Sequence, residues 1–255
     1  MTTLRAFFES RSADRLMDPA TRPAAIDGFL KEEIRLLETI ASTFDRLVEV
    51  GCMQGRHLDW TIGHGKRYVG IDIVERHLEI GRRIARARGL ATDACRFLRG
   101  DAEEIDRLLG PPAAGEKSLI FFPFNVFGAV GDVRRVMAAV RRSERPFLIS
   151  AYQVTDDATA RREEYYRRSG CRDLCVRQDA HGVCFETADG FRTIAYDPAY
   201  LVSLWREHGV EVSALVWSRL NAAYVPASLL ADARPAEAAS GGCNFMGSGA
   251  DSSAP

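Results

Sequence analysis

Between Arg46 and Leu58 the chain reads Arg-Leu-Val-Glu-Val-Gly-Cys-Met-Gln-Gly-Arg-His-Leu, and this stretch limits the available folds more than any other. Leu47, Val48 and Val50 form a short apolar run, as in a strand covered on both faces. Gly51 and Gly55 follow at once, and glycine lets a backbone turn tightly and come close to something bound. The stretch therefore predicts a buried strand, a glycine turn and the start of a helix. Glu49 interrupts the apolar run just before the turn. A carboxylate there is costly unless it sits at the strand's carboxyl end facing a ligand cleft, so Glu49, Gly51 and Gly55 are the first candidate binding residues.

Strand and helix patterns alternate from there to residue 153. Arg67–Asp72 is a strand ending in an acid and Glu75–Arg88 a helix; Cys95–Asp101 is a third strand with a helix behind it from Ala102. Ser118–Gly128 is an apolar fourth strand ending in Asn125, 132–143 a helix, and 145–153 a fifth strand ending in Tyr152 and Gln153. This order implies right-handed crossovers and a parallel sheet, with ligands beyond the carboxyl ends of its strands. Asp72 follows Glu49 by about twenty residues, the distance at which a carboxylate binds ribose hydroxyls in such architectures. Capping the next helix is the competing role for it. Ahead of the first strand, Pro23 and the spacing of Ile26, Phe29, Leu30, Ile34, Leu37 and Ile40 predict an amphipathic helix over 23–43.

The glycine turn resembles motif I of the class I S-adenosylmethionine (SAM) methyltransferases, usually E/D-x-G-x-G-x-G, in Glu49-Val-Gly-Cys-Met-Gln-Gly55. The spacing G-x-G-x-x-G of nicotinamide and flavin proteins is not the one present. Met53 stands where the family has its middle glycine, so a thioether side chain occupies the point of closest backbone approach to the cofactor. The resemblance runs over about residues 25–226 in element order. It implies an α/β, Rossmann-like class I methyltransferase sheet, mostly parallel and seven-stranded, with a final antiparallel hairpin over 210–226 and helices on both faces. A small antiparallel insertion over about 155–197 would cover the acceptor.

By the same resemblance the cofactor is S-adenosyl-L-methionine and the product S-adenosyl-L-homocysteine. Glu49, Gly51, Met53, Gly55 and Asp72 would hold the cofactor, Asp101 and Ala102 its adenine, and Phe124 would flank it. Residues 1–45 would form a helical cap or lid, 46–230 the catalytic domain, and 231–255 an Ala/Gly/Ser/Pro-rich disordered tail. Methyl transfer needs an acceptor lone pair held in line with the departing sulfur and shielded from water. Asn125, Tyr152, Tyr165, Tyr166 and His181 are the candidates for orienting or deprotonating the acceptor. Loop hydrogen bonding by Asn125 and a plain turn position for His181 are the structural alternatives.

Composition narrows the acceptor. Basic and acidic residues number 34 and 35, for a net charge of −1, and no basic patch or stacking platform for single strands stands out. Nucleic acid and anionic membrane surfaces are therefore not expected partners. No apolar run is long enough to span a bilayer, and residues 1–8 lack a signal-peptide core. Six cysteines without a paired C-x-x-C suit reduced thiols in a cytoplasmic protein. Cys171, Cys175 and Cys184 with His181 fit no common zinc spacing, so no metal is expected. A small-molecule acceptor follows (an amine, an amino acid or a specialised-metabolite intermediate), acted on by a monomer or homodimer. Two other readings remain open here: an enzyme that cyclises or cleaves the aminocarboxypropyl arm of SAM, releasing methylthioadenosine, and a non-catalytic SAM-fold binding protein.

Overall fold

The computed structural model describes residues 4–232, with the backbone alone at 11, 12 and 230–232. In chain order, a short helix α1 (Leu4–Glu9) and a 3-10 segment (Arg11–Met17) precede α2 (Ala24–Thr39). Then come β1 (Arg46–Val50), α3 (Leu58–Gly63), β2 (Arg67–Asp72), α4 (Glu75–Ala87), β3 (Cys95–Arg99) and α5 (Ile105–Leu109). These are followed by β4 (Ser118–Phe122), α6 (Val133–Arg142), β5 (Phe147–Tyr152) and α7 (Asp156–Arg168). The last third holds β6 (Cys175–Asp179), β7 (Gly182–Glu186), β8 (Arg192–Tyr196), α8 (Pro198–Glu207), β9 (Val212–Val216), β10 (Asn221–Pro226) and α9 (Ala227–Asp232).

Seven strands form one sheet in the order β3-β2-β1-β4-β5-β10-β9. The first five pair in parallel, and β10 inserts antiparallel to both β5 and β9. The sheet is therefore the mostly parallel, seven-stranded one with a terminal antiparallel hairpin. Alternation of side chains across the pleat explains why its apolar runs are continuous. Val48, Ile120, Phe122, Phe147 and Ile149 enter a core with Val136, Met137 and Val140 of α6 and Trp205 of α8. Leu47, Leu119, Phe121 and Leu148 point the other way, onto Leu36 and Leu37 of α2, and on that face Tyr68 packs with Leu58 of α3 and Leu78 of α4.

A second, three-stranded antiparallel sheet, β6-β7-β8, stands beyond the carboxyl ends of the parallel strands. Val183 and Phe185 of β7 share a core with Tyr165 and Tyr166 of α7 and with Phe7 and Ala13 of the N-terminal segment. So the insertion and the N-terminus pack on each other, and the cleft between them and the large sheet is where the strand order reverses, between β1 and β4. Among the described residues no helix is long and apolar enough to cross a membrane. The disordered tail expected from residue 231 lies outside the described residues, apart from the end of α9.

The fourth strand is shorter than the sequence suggests. It stops at Phe122, not Asn125, because Pro123 has no N–H to donate to a ladder and the next two residues leave the β region. Phe124 has φ 48° and Asn125 φ 59°, both left-handed. The amphipathic helix likewise ends at Thr39 rather than 43, its last residues tightening into a 3-10 turn.

Candidate functional site

The floor of the cleft is the turn after β1. Gly51 has φ +66°, and a Cβ there would lie 2.8 Å from Val126 Cγ2, so both conformation and space require glycine. Met53 also adopts a left-handed φ of 51°. Its N–H donates to Asp72 Oδ2 at 2.8 Å, while Val74 N–H donates to Asp72 Oδ1 at 2.9 Å. Asp72 is thus fixed at the end of β2 by two backbone donors, with the remaining lone pairs of its carboxylate on the cleft wall. Burial pushes this carboxyl above its ordinary value, against the opposing pull of the two N–H groups. Asp101 sits beside it at the end of β3 and on the same wall. It also caps the turn that follows, accepting from Glu103 N–H at 3.1 Å, so helix capping and a place on the cleft wall hold together.

Glu49 does not line the cleft, contrary to expectation, and the pleat is the reason. Val50 faces the cleft, so its neighbour must face the other side of the sheet. There Glu49 is fully buried. It accepts from Tyr68 OH at 2.5 Å and from His57 N–H at 3.2 Å, and its other oxygen meets His57 Nδ1 at 2.8 Å. Burial alone would raise its carboxyl, but His57, Arg56 and the Tyr68 hydroxyl outweigh burial and hold it below the ordinary value. Gly55 is also off the cleft wall. A Cβ at Gly55 would press 3.1 Å from the Phe97 ring and 3.2 Å from Leu58 Cβ, at φ +93°, so its role is to let the turn pack on the sheet.

At the end of β4, two left-handed residues carry the far wall. Phe124 N–H donates to Glu33 Oε1, a carboxylate of α2 that is fully buried and raised above its ordinary value by that burial. Arg56 lies over the Phe124 ring, 5.1 Å from its centroid, and 3.6 Å from Glu33 Oε2. That ion pair makes no hydrogen bond, and Arg56 Nε and Nη1 have no hydrogen-bond partner. Asn125 faces the cleft, but its amide is engaged. Nδ2 donates to Thr193 Oγ1 and to Ile194 O, each at 2.9 Å, and Oδ1 accepts from Tyr152 N–H at 3.4 Å. It clamps β8 of the insertion against β5 of the large sheet.

The roof comes from the N-terminus and the insertion. Leu4, Arg5, Phe8 and Leu16 face Tyr165, Tyr166 and Phe191 across the cleft. Arg76 of α4 straps the N-terminal segment down, donating to Glu9 O at 2.6 Å, Ser10 O at 2.8 Å and Asp14 Oδ1 at 2.6 Å. His77 Nε2 joins Asp14 Oδ1 at 2.9 Å, and Tyr165 OH donates to Leu16 O.

The cleft thus gathers Gly51, Met53, Asp72, Asp101, Ala102, Phe124, Asn125, Tyr165 and Tyr166 of the residues singled out in the sequence. It excludes Tyr152 and His181. Tyr152 points into the core behind Phe124, its ring 5.9 Å away, and burial raises its phenol well above the ordinary value. His181 is 62% exposed in the β6–β7 turn against the Tyr200 ring. Sequence reasoning missed Arg56 and Arg76. Arg56 had one signal, its place directly after the glycine turn; Arg76 had none, since its partners are more than sixty residues away.

A carboxylate at the tip of each of two adjacent strands, over a glycine turn, is a donor set suited to a nucleoside. Residues 47–146 match a family model described as a methyltransferase domain. Over those residues the chain is similar to methyltransferase domains; beyond them the likeness is one of fold. In fold it is similar to the 1,6-didemethyltoxoflavin-N1-methyltransferase of Burkholderia thailandensis, solved with 1,6-didemethyltoxoflavin and S-adenosylhomocysteine, at 16% identity and TM-score 0.56 over 88% of this chain and 85% of that one. It is also similar to the glycopeptide N-methyltransferase MtfA complexed with SAM, at 14% identity and TM-score 0.51 over 76% and 92%. A SAM-dependent methyltransferase from Aquifex aeolicus aligns at 13% identity and TM-score 0.50 over 87% and 95%. No curated protein matches the chain in sequence.

Proposed function

We propose that the chain transfers the methyl group of SAM to a small molecule held between the end of β4 and the roof formed by residues 4–17 and the 155–197 insertion. The observation that carries this reading is the single cleft in which Asp72 and Asp101 stand at one end and Phe124, Tyr165, Tyr166 and Phe191 at the other. Asp72, with both oxygens oriented by backbone N–H groups, accepts from the ribose hydroxyls. Asp101 accepts from the adenine amine and the Ala102 N–H contacts the ring. The backbone of Gly51 and Met53 would lie along the sulfonium arm, and the Arg56 guanidinium on the cleft wall would face its carboxylate. When bound, SAM supplies an electrophilic methyl carbon.

The chain's own residues do the rest. The aromatic end offers a flat, closed acceptor site, and the N-terminal lid excludes water. Asn125 acts as a positioning residue, because its amide is committed to holding β8 in place. That a toxoflavin-precursor and a glycopeptide enzyme share the fold supports a small-molecule acceptor without naming it.

The test is calorimetric titration with SAM and S-adenosylhomocysteine, followed by mass spectrometry of an overnight SAM incubation without acceptor. Binding of both with SAM intact is the expected result. Accumulation of methylthioadenosine above a protein-free control would replace methyl transfer by chemistry on the aminocarboxypropyl arm, and failure to bind either would remove the catalytic reading.

A further inference from the structure

One cation behind the aromatic end of the cleft has no role so far. Arg162 of α7 is completely buried, and among the described residues no carboxylate lies within ion-pairing distance of it. Its guanidinium carbon sits 4.9 Å from the Tyr152 ring centroid, 5.8 Å from Tyr166 and 4.6 Å from Phe185. Nη1 makes one long hydrogen bond to Val183 O, 3.3 Å, and Nε and Nη2 make none. Three rings offset part of the cost of taking this charge out of water. A buried charge ordinarily has a counterion as well.

The wall of the cleft, by contrast, is balanced in charge. Its carboxylates, Asp72 and Asp101, lie at the cofactor end. Elsewhere on the wall the basic side chains are Arg5, Arg56 and His77, the last paired with Asp14. Glu9 pairs with the exposed Arg5 at 3.3 Å. Glu33, whose carboxyl burial raises, is the counter-charge facing Arg56. Tyr165 and Tyr166 are on the wall and Tyr152 lies behind it; burial pushes the phenols of Tyr152 and Tyr165 well above their ordinary values, so neither is a ready base. Each basic group on the wall thus has an acidic partner, whereas Arg162 behind Tyr166 has none among the described residues, and a bound sulfonium adds a second positive charge.

Resting on the function proposed above, we infer that the acceptor is bound as a flat anion, a deprotonated ring N–H, enol, phenol or carboxylic acid, whose charge is balanced across the Tyr166 wall by Arg162. Such an acceptor donates one lone pair from its deprotonated atom to the methyl carbon, the carbon–sulfur pair stays on sulfur, and no proton has to leave. The anion and the sulfonium both end neutral. This suits a cleft in which burial makes the Tyr165 phenol a poor base. It also disfavours an ammonium acceptor, which would add a third positive charge beside Arg162 and the sulfonium.

The experiment uses 4-nitrophenol as a probe, titrated against pH by its phenolate absorbance in the presence of protein saturated with S-adenosylhomocysteine. The bound probe is expected to ionise about one pH unit or more below its value in water, as for an acid beside fixed cations. Arg162→Met should abolish most of that shift while leaving S-adenosylhomocysteine affinity unchanged, and Arg162→Lys should restore part of it. If Arg162→Met does not fold, Arg5→Gln at the exposed rim supplies the second measurement and should reduce the shift. Saturable binding without a downward shift, preference for the neutral phenol, or no binding at low millimolar probe overturns the inference while leaving the cofactor reading intact. Failure to bind S-adenosylhomocysteine overturns both.

Discussion

Replacing Glu49 by alanine separates a foundation from a binding residue. Its carboxylate holds three donors in a fully buried setting: the His57 N–H, the His57 ring and the Tyr68 hydroxyl. Alanine strands all three. Removing one partner of a buried charged pair costs about 3–5 kcal/mol, and for a domain of this size each kcal/mol lowers Tm by about 2–4 °C. Glu49→Ala should therefore melt about 6–20 °C below the parent in differential scanning calorimetry. Glu49→Gln should lose much less, because an amide oxygen still serves Tyr68 OH and His57 N–H.

The pH dependence has a definite sign. A carboxyl held below its ordinary value of 4.5 contributes its full stability above that pH and loses it as pH falls through the depressed folded value. The gap between parent and Glu49→Ala should close in acid. S-adenosylhomocysteine affinity of the folded variant, measured well below its Tm, should stay within about threefold, under 1 kcal/mol. A variant that melts like the parent but binds the cofactor tenfold more weakly would refute this reasoning and return Glu49 to the cleft.

Asp72→Asn should show the opposite pattern, weakening S-adenosylhomocysteine by about 1–3 kcal/mol, the scale of hydrogen bonds to a charged group; calorimetric affinity equal to the parent's would take Asp72 out of the site. Because burial raises this carboxyl, its share of stability improves as pH falls through the raised value, whereas any share in binding that needs the carboxylate weakens over the same range. Arg76→Ala removes three donors that hold the N-terminal segment. Stopped-flow release of S-adenosylhomocysteine should then quicken about tenfold, or about 1.4 kcal/mol, and an unchanged rate would mean that the segment does not gate the cleft. Gly128→Ala puts a Cβ 1.8 Å from the Ile194 carbonyl, and backbone cannot yield as a side-chain tip does. It should displace β8 and lower Tm by more than about 5 °C in the same calorimetry.

Local sequence determined the architecture and one end of the site. Leu47, Val48, Ile120, Phe121, Leu148 and Ile149 could only be strands covered on both faces, and glycines with acids at strand ends placed Gly51, Asp72 and Asp101 in one cleft, because period-two burial and left-handed φ are properties of a residue and its immediate neighbours. What lay between elements was decided by tertiary structure. Glu49 reads as a ligand residue until the pleat turns it toward Tyr68. Asn125 reads as a free amide until β8 arrives 68 residues later to occupy it. Tyr152 and His181, equally plausible along the chain, part company once one strand end is buried and one turn is exposed. Arg162 carries no signal at all in a charged helix. Only when the insertion folds its α7 against β5 and β7 does that one arginine become a cation without a carboxylate, because burial and charge balance are set by what packs around a side chain rather than by what precedes it.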